Sequence, residues 1–267
     1  VIALTRPVSP TLADCELTHL ERVVIDVERA AAQHAEYEAL LRSLGAVVVA
    51  VVAAPDHPDA VFVEDTAIVL DDVAIITRPG AESRRGELDG VASALANYRP
   101  LVTMSAPATL DGGDVIRMDR TLYVGRSGRT NDAGIEQLRR LVAPHDYRVV
   151  AVDFTGCLHL KSAATAIGAD MVLLNPDWVS ASAFVGCDSV VIDSSEPHGA
   201  NALRIADSLV YSSQYPRTGA ILARRGLRVC EVDLSELAKA EGAVTCCSLI
   251  VQEQVPRFAR DDSETDQ

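Results

Sequence analysis

Five times along the chain, a pair of polar residues leads into a short apolar run. In four of the five a tight polar turn and a second apolar run follow. Glu64-Asp65 opens Thr66–Leu70, which turns at Asp71-Asp72 and returns through Val73–Ile76. Gly113-Asp114 opens Val115–Met118, turns at Asp119-Arg120 and returns through Leu122–Val124. Lys161-Ser162 and Ala200-Asn201 open two more such hairpins, and Cys246-Cys247 opens the run Ser248–Val251. The pairs end at residues 65, 114, 162, 201 and 247, so the spacings are 49, 48, 39 and 46. A period of this size marks an array of supersecondary units. Radial closure is how such an array avoids exposed sheet edges. The expected fold is therefore α/β, a ring of five units with the polar pairs gathered at the strand starts near its axis. Helices are predicted near 83–97, 131–143 and 215–225, with further strands at Val149–Val152 and Leu227–Val232. Ahead of the array, Val27–Leu44 has one apolar face and predicts a helix stopped by Gly45. Ala46–Ala54 predicts a buried strand.

If the pairs converge, the centre holds Glu64, Asp65, Asp111, Asp114, His159, Asn201, Cys246 and Cys247. A thiol, an imidazole and several carboxylates are the parts of nucleophilic catalysis with an oriented base. Neighbouring cysteines do not easily bridge each other. On a strand they face opposite sides, so one thiol belongs to the core and the other to the strand mouth. A cysteine is most often a small core residue, and His159, in the alternating stretch Cys157–Ser162, has an ordinary structural reading as well. Asp111 and Asp114 flank Gly112-Gly113, which also suits a plain turn. Glu64 and Asp65 lie in an apolar stretch and need a cationic partner. With no lysine or arginine beside them in sequence, a ligand could supply it.

The net charge of −14 argues against nucleic acid and anionic membranes as partners and favours attraction of a cationic ligand. The longest apolar run, Ala46–Ala54, is too short to span a bilayer. No basic stretch followed by an apolar one stands at the start, so no secretory leader is expected. Six cysteines without framework spacing fit a reducing, cytoplasmic setting. The absence of any Cys-x-x-Cys pair gives a structural zinc site poor support. One domain over 1–260 is expected, followed by a disordered polar tail, Asp261–Gln267.

Six stretches carry a more specific pattern. They are Asp59–Asp65, Ile76–Gly80 with Ser83–Arg85, Thr109–Val115, Tyr123–Gly125 with Arg129–Asn131, Leu158–Ser162 and Thr245–Ser248. In this order they resemble the dimethylarginine dimethylaminohydrolases of the pentein superfamily, whose fold is a five-bladed α/β propeller. The resemblance implies that Cys246 is the nucleophile, His159 the general acid and base, and Asp111 the carboxylate that orients it. Asp59, Glu64 and Asp65 resemble the groups that hold the substrate guanidinium. Arg84 and Arg129 resemble those that clamp its α-carboxylate, a task suited to a guanidinium fork. Leu17, in an N-terminal lid, and Ala240 resemble backbone contacts to the α-amino group. Glu241 stands where the best-matched relatives are expected to carry aspartate, beside the nucleophile.

The implied reaction hydrolyses Nω-methylated arginines to citrulline and dimethylamine or methylamine through a covalent thiouronium on Cys246. It needs no metal and no organic cofactor. The implied partner is a small cationic amino acid, and the resemblance allows a homodimer. The nearest alternative is an arginine or agmatine deiminase-like hydrolase, with Arg84 and Arg129 favouring a substrate that carries a carboxylate. A non-catalytic pentein binding module, like the ribosome anti-association factors, is disfavoured by the joint presence of Cys246, His159 and Asp111. A thiol-based redox or zinc-binding protein is disfavoured further.

Overall fold

The computed structural model describes residues 1–252, and within them the recurring units form five three-stranded sheets. The expected domain end at 260 and the polar tail 261–267 lie outside the described residues. The chain starts with β1 (Ile2–Thr5), helix α1 (Val27–Ser43) and β2 (Val47–Ala50). Next, β3 (Ala67–Val69) and β4 (Ala74–Ile76) make an antiparallel hairpin, and after helix α2 (Leu88–Leu95) β5 (Leu101–Thr103) runs parallel to β4. The same order gives β6 (Val115–Met118), β7 (Thr121–Arg126), α3 (Asp132–Val142) and β8 (Arg148–Asp153). The third unit opens with a single helical turn, α4 (Leu160–Ala163), before β9 (Ala164–Ala166), β10 (Met171–Leu174) and β11 (Asp188–Val191). The fourth holds β12 (Ala202–Ile205), β13 (Ser208–Ser212), α5 (Pro216–Arg224) and β14 (Arg228–Val232). After the turn α6 (Ser235–Ala238), β15 (Leu249–Val251) pairs antiparallel with β1, and β1 pairs parallel with β2. The fifth sheet thus joins the two ends of the described chain, with Ile2 opposite both Val251 and Val47. That pairing closes a five-bladed propeller.

The first hairpin strands β3, β6, β9 and β12, together with β15, stand innermost and surround an axial cavity of about 930 Å³. The core lies between blades. One cluster joins α1 (Ala30, Tyr37, Leu41) to Val232, Leu237 and Cys247. Helix α1 shows how local sequence sets such a contact. Asp26 caps it, its side chain accepting the Arg29 N–H at 2.9 Å. Ala30, Gln33, His34, Tyr37 and Leu41 recur at helical spacing and are its buried face. Gly45, at φ +89°, turns the chain back into β2.

Three expectations change. The run Ala46–Ala54 is not a buried strand: β2 keeps four residues of it, and Val47 and Val52 are 60% and 68% exposed. The reason is position, since β2 is an outer strand with one neighbour. The polar pairs do not stand on strands either. Val63–Thr66 and Gly112–Asp114 are 3-10 turns, and His159 is the extended residue that starts α4. In the first of these turns Glu64 faces the axial cavity and Asp65 a second, smaller one at its end. Finally, the predicted helix 83–97 divides into a 3-10 segment, Glu82–Glu87, which carries Arg84, and α2. Strands β5 and β11, only three and four residues long, give no readable periodicity. Among the described residues no helix is long and apolar enough to cross a membrane.

Candidate active site

Cys246 sits in a turn that is fastened from three sides. Its N–H donates to the Ala243 carbonyl at 3.1 Å, and its own carbonyl accepts the Glu64 N–H at 3.2 Å. Tyr37 on α1 donates its hydroxyl to the Val244 carbonyl at 2.9 Å and shares a hydrogen bond with Ser248 Oγ at 2.7 Å. Asn201 takes the Thr245 N–H at 3.1 Å. The two cysteines part as expected, although a turn and not a strand separates them. Cys247 is fully buried in the core, while Cys246 lines a cavity with His159.

His159 is held by its Nε2, 3.1 Å from Asp111 Oδ2. The other oxygen of Asp111 accepts the Gly80 N–H at 2.8 Å, so the carboxylate itself cannot swing. A carboxylate at Nε2 keeps the proton on that nitrogen and leaves Nδ1 for chemistry. Nδ1 stands 3.7 Å from Asp65 Oδ1. Gly113 makes this approach available: a Cβ there would meet His159 Nδ1 at 2.6 Å and Asp65 Oδ1 at 2.7 Å. Burial alone would lower the imidazole, but the Asp65 charge, the Asp111 hydrogen bond and the charge of Asp114 outweigh it and lift His159 to about 9. Burial, reinforced by the charges of Glu64 and Asp65, pushes the Cys246 thiol well up. The pair therefore rests as imidazolium and neutral thiol.

Glu64 and Asp65 meet cations of the protein itself, so a ligand is not needed to neutralise them. Glu64 accepts from Lys161 Nζ at 2.6 Å and from Thr245 Oγ1 at 2.8 Å, and it lines the axial cavity, not the one beside Cys246. Asp65 does line the site; it accepts from Arg84 Nη1 at 2.5 Å and from the Gly113 N–H at 2.9 Å. Burial would raise Asp65, but His159 and Arg84 prevail and hold it below the usual carboxylate range. Arg84 spends the rest of its fork on Glu87, at 3.1 and 2.8 Å, and on the Asp59 and Phe62 carbonyls at 3.2 and 2.9 Å. Its guanidinium borders the site, bound there by two carboxylates and two carbonyls. Arg129 differs: it is half-buried, and its guanidinium makes a long bond, 3.3 Å, to Thr18 Oγ1. Asp59 is buried and accepts the Glu16 N–H at 3.1 Å; burial lifts its carboxyl to about 6.

Above these groups lies the segment 15–22. Ser83 Oγ donates to Glu16 Oε1 at 2.7 Å, and Glu241 accepts the N–H groups of Thr18, His19 and Leu20 at 3.2, 2.5 and 2.7 Å. The cavity beneath is lined by Asp59, Asp65, Arg84, Asp111, Arg129, His159, Ala240, Glu241 and Cys246 among others, and holds about 20 Å³. That is room for one water. Leu17, like Cys246, is partly buried against the core cluster that includes Tyr37 and Cys247. Nine of the eleven sequence-expected site residues thus share one cavity; Leu17 is on its cover, and Glu64 faces the axial side of the Lys161 pair. Asp114 and Asn201, gathered with them by the repeat, are scaffold. Asp114 accepts from Ser127 and Thr130 at 2.6 Å and from the Leu160 N–H at 2.9 Å, and burial lifts it to about 6.

Asp65, Asp111 and His159 bring donor atoms within 4.8 Å of one another, the spacing of a metal site. Their atoms are already committed to Arg84, Gly80 and each other, which is the pattern of an oriented acid–base group. Sequence reasoning gave Gly80 and Gly113 no role, although both stand in stretches it singled out, and it missed Glu87 and Tyr37. Tyr37, distant on α1, carried no signal.

A five-sheet ring with a cysteine, a histidine and buried carboxylates at one end of its axis defines a pentein-type α/β propeller. Within that class the assignment is specific: the chain belongs to the dimethylarginine dimethylaminohydrolase family. The family model described as N,N dimethylarginine dimethylhydrolase, eukaryotic, matches residues 18–251. An N(G),N(G)-dimethylarginine dimethylaminohydrolase of Streptomyces coelicolor is 41% identical over 253 residues, 94% of this chain and 97% of that one. A solved Pseudomonas aeruginosa family member, a cysteine-to-serine mutant complexed with citrulline, superposes with a TM-score of 0.89 at 32% identity, covering 93% of this chain and 98% of that one. A histidine-to-glycine family member, solved as an adduct with S-methyl-L-thiocitrulline, gives a TM-score of 0.88 at 31% identity over 93% and 98%.

Proposed function

We propose that this chain hydrolyses asymmetric dimethylarginine and monomethylarginine to citrulline, releasing dimethylamine or methylamine. One observation carries the reading: Cys246 shares a cavity with His159, whose Nε2 is fixed by Asp111 at 3.1 Å and whose Nδ1 faces Asp65. A guanidinium carbon is a poor electrophile, so it needs a strong nucleophile and a ready acid. In the resting site the acid is charged and the thiol neutral. A guanidinium entering beside Asp65 offsets the negative field that raises the Cys246 thiol, so cation binding and thiol ionisation are linked.

The thiol gives its proton to solvent, and the thiolate forms an S–C bond to the guanidinium carbon. His159 passes its Nδ1 proton to the dimethylamino nitrogen, the C–N bond breaks and dimethylamine leaves. Water gives one proton to His159 and its hydroxyl to the thiouronium carbon; the C–S bond breaks as the hydroxyl proton passes to the departing sulfur, and citrulline is released with thiol and imidazolium restored. Arg129, with an unsaturated fork at the cavity rim, takes the α-carboxylate. Arg84 acts mainly through Asp65, and Glu64 from behind the cysteine turn. Asp59 joins Asp65 in holding the guanidinium, and Leu17 and Ala240 take the α-amino group through their backbone. The six unpaired cysteines suit work in the reducing cytoplasm.

The test is product analysis on dimethylarginine, arginine and agmatine. Dimethylamine and citrulline from dimethylarginine are expected. Ammonia from arginine or agmatine as the faster product would reassign the chain to the deiminases.

A further inference from the structure

We infer that Glu241 is the latch of the site: it fastens residues 18–20 over the cavity and so positions Leu17 and Glu16 against the bound substrate. The part that concerns substrate rests on the function proposed above; the latch itself rests on geometry alone.

Three consecutive backbone N–H groups, of Thr18, His19 and Leu20, converge on one carboxylate oxygen of Glu241 at 3.2, 2.5 and 2.7 Å, and its second oxygen meets the Thr18 N–H at 3.2 Å. Successive N–H groups pointing one way form a nest for an anion, and here the anion comes from a residue 221–223 positions away. Beyond it the cover is poorly anchored. Glu21, Arg22, Val23 and Val24 are exposed, and the other hydrogen bonds that tie this stretch to distant parts of the chain are single side-chain bonds from Asp59, Ser83, Arg129 and Lys239.

The backbone at Glu241 supplies a second, independent sign. The Glu241 N–H bonds the Ala238 carbonyl at 3.1 Å and the Gly242 N–H bonds the Leu237 carbonyl at 3.0 Å. That crossed pair is a helix-ending motif whose left-handed position normally takes glycine. Glu241 occupies it at φ +59°. A strained conformation at a site wall points to a side-chain task, and the nest is that task. With about 20 Å³ below the cover, no arginine derivative enters until these bonds open. Glu241 thus sets the fraction of molecules that are closed and competent, and through it the apparent affinity.

Two variants test this, Glu241→Gly and Glu241→Gln. Glycine removes the carboxylate and suits the left-handed backbone, so Tm should hold or rise. Amide exchange at Thr18, His19 and Leu20 should accelerate about tenfold or more, alkylation of Cys246 by iodoacetamide, followed by peptide mass, should speed up likewise, and KM for dimethylarginine should rise by about the same factor with kcat changing less. Glutamine keeps one oxygen in the nest and should fall between. Unchanged exchange at the three amides in Glu241→Gly would overturn the latch. So would faster exchange throughout the chain with a lower Tm, the signature of a merely structural residue. If the wild type makes no dimethylamine, the proposed function falls, and the exchange and alkylation rates still decide for or against the latch.

Discussion

The floor and the cover of the site are built on opposite terms. On the floor, Asp65, Arg84, Glu87, Asp111 and His159 are all buried, and each is held by at least two polar contacts. On the cover, segment 15–22 is largely exposed and hangs from a few bonds, with Glu241 taking more of them than any other residue. A desolvated, cross-braced floor has its geometry set before substrate arrives, so its groups act on the transition state. The cover governs access and affinity. Floor substitutions should therefore strike kcat or stability, and cover substitutions KM.

The sharpest break is at the nucleophile. Cys246→Ser should cut turnover by about a thousandfold or more, while Cys247→Ser, in the core, should keep most activity and lose stability instead. Equal loss of activity in both, with both folded, would erase the distinction between the two faces of the turn. The arginines separate floor from cover. Arg84→Ala leaves Asp65 and Glu87 buried without their cation, and such broken pairs cost about 3–5 kcal/mol; thermal or urea unfolding measures it. Arg129→Ala should leave unfolding unchanged and raise KM about tenfold to a hundredfold. If both arginines behaved alike, the floor would not be the rigid half.

A finer test concerns protons. His159 is raised to about 9, so activity that needs the imidazolium should fall above that pH. Asp111→Asn removes a charge that raises it, and the alkaline limb of kcat should move to lower pH. The sign for stability follows from the same shift. With the folded value above the ordinary 6.5, the imidazolium's contribution is complete below that pH and lost as pH rises through about 9. The wild type should lose stability across that window more steeply than Asp111→Asn.

The ring was legible because its signal is local. A polar pair, a hairpin and a period near 40–50 residues can be counted along the chain. The family pattern also named nine of the residues that line the cavity, Cys246 among them and Cys247 not. What stayed hidden depends on distance in sequence. Lys161 meets Glu64 across 97 positions and Arg84 meets Asp65 across 19, so neither cation stands next to the acid it serves. The apolar run around β2 looked buried because composition carries no sign of which strand ends a sheet. Helical turns of three or four residues, such as the one that Gly112–Asp114 forms, are too short for periodicity to separate from a strand start.

The smallest expected effect lies beneath the floor. Tyr37 reaches from α1 to the Val244 carbonyl at 2.9 Å and to Ser248 Oγ at 2.7 Å, one bond on each side of the two cysteines. Tyr37→Phe preserves the ring and its packing and deletes only the hydroxyl. Ser248 can redirect its own hydroxyl, so the net loss is close to one ordinary buried hydrogen bond, about 1 kcal/mol. The turn keeps its other anchors, Asn201 on Thr245 and the Glu64 N–H on the Cys246 carbonyl. Turnover should then fall by no more than about fivefold, because 1 kcal/mol of misalignment is the most that one such bond can pass to the thiol. A far larger drop in kcat with unfolding shifted by only that much would mean that the hydroxyl aims the cysteine rather than merely supporting it, and the rigid floor would then extend as far as α1.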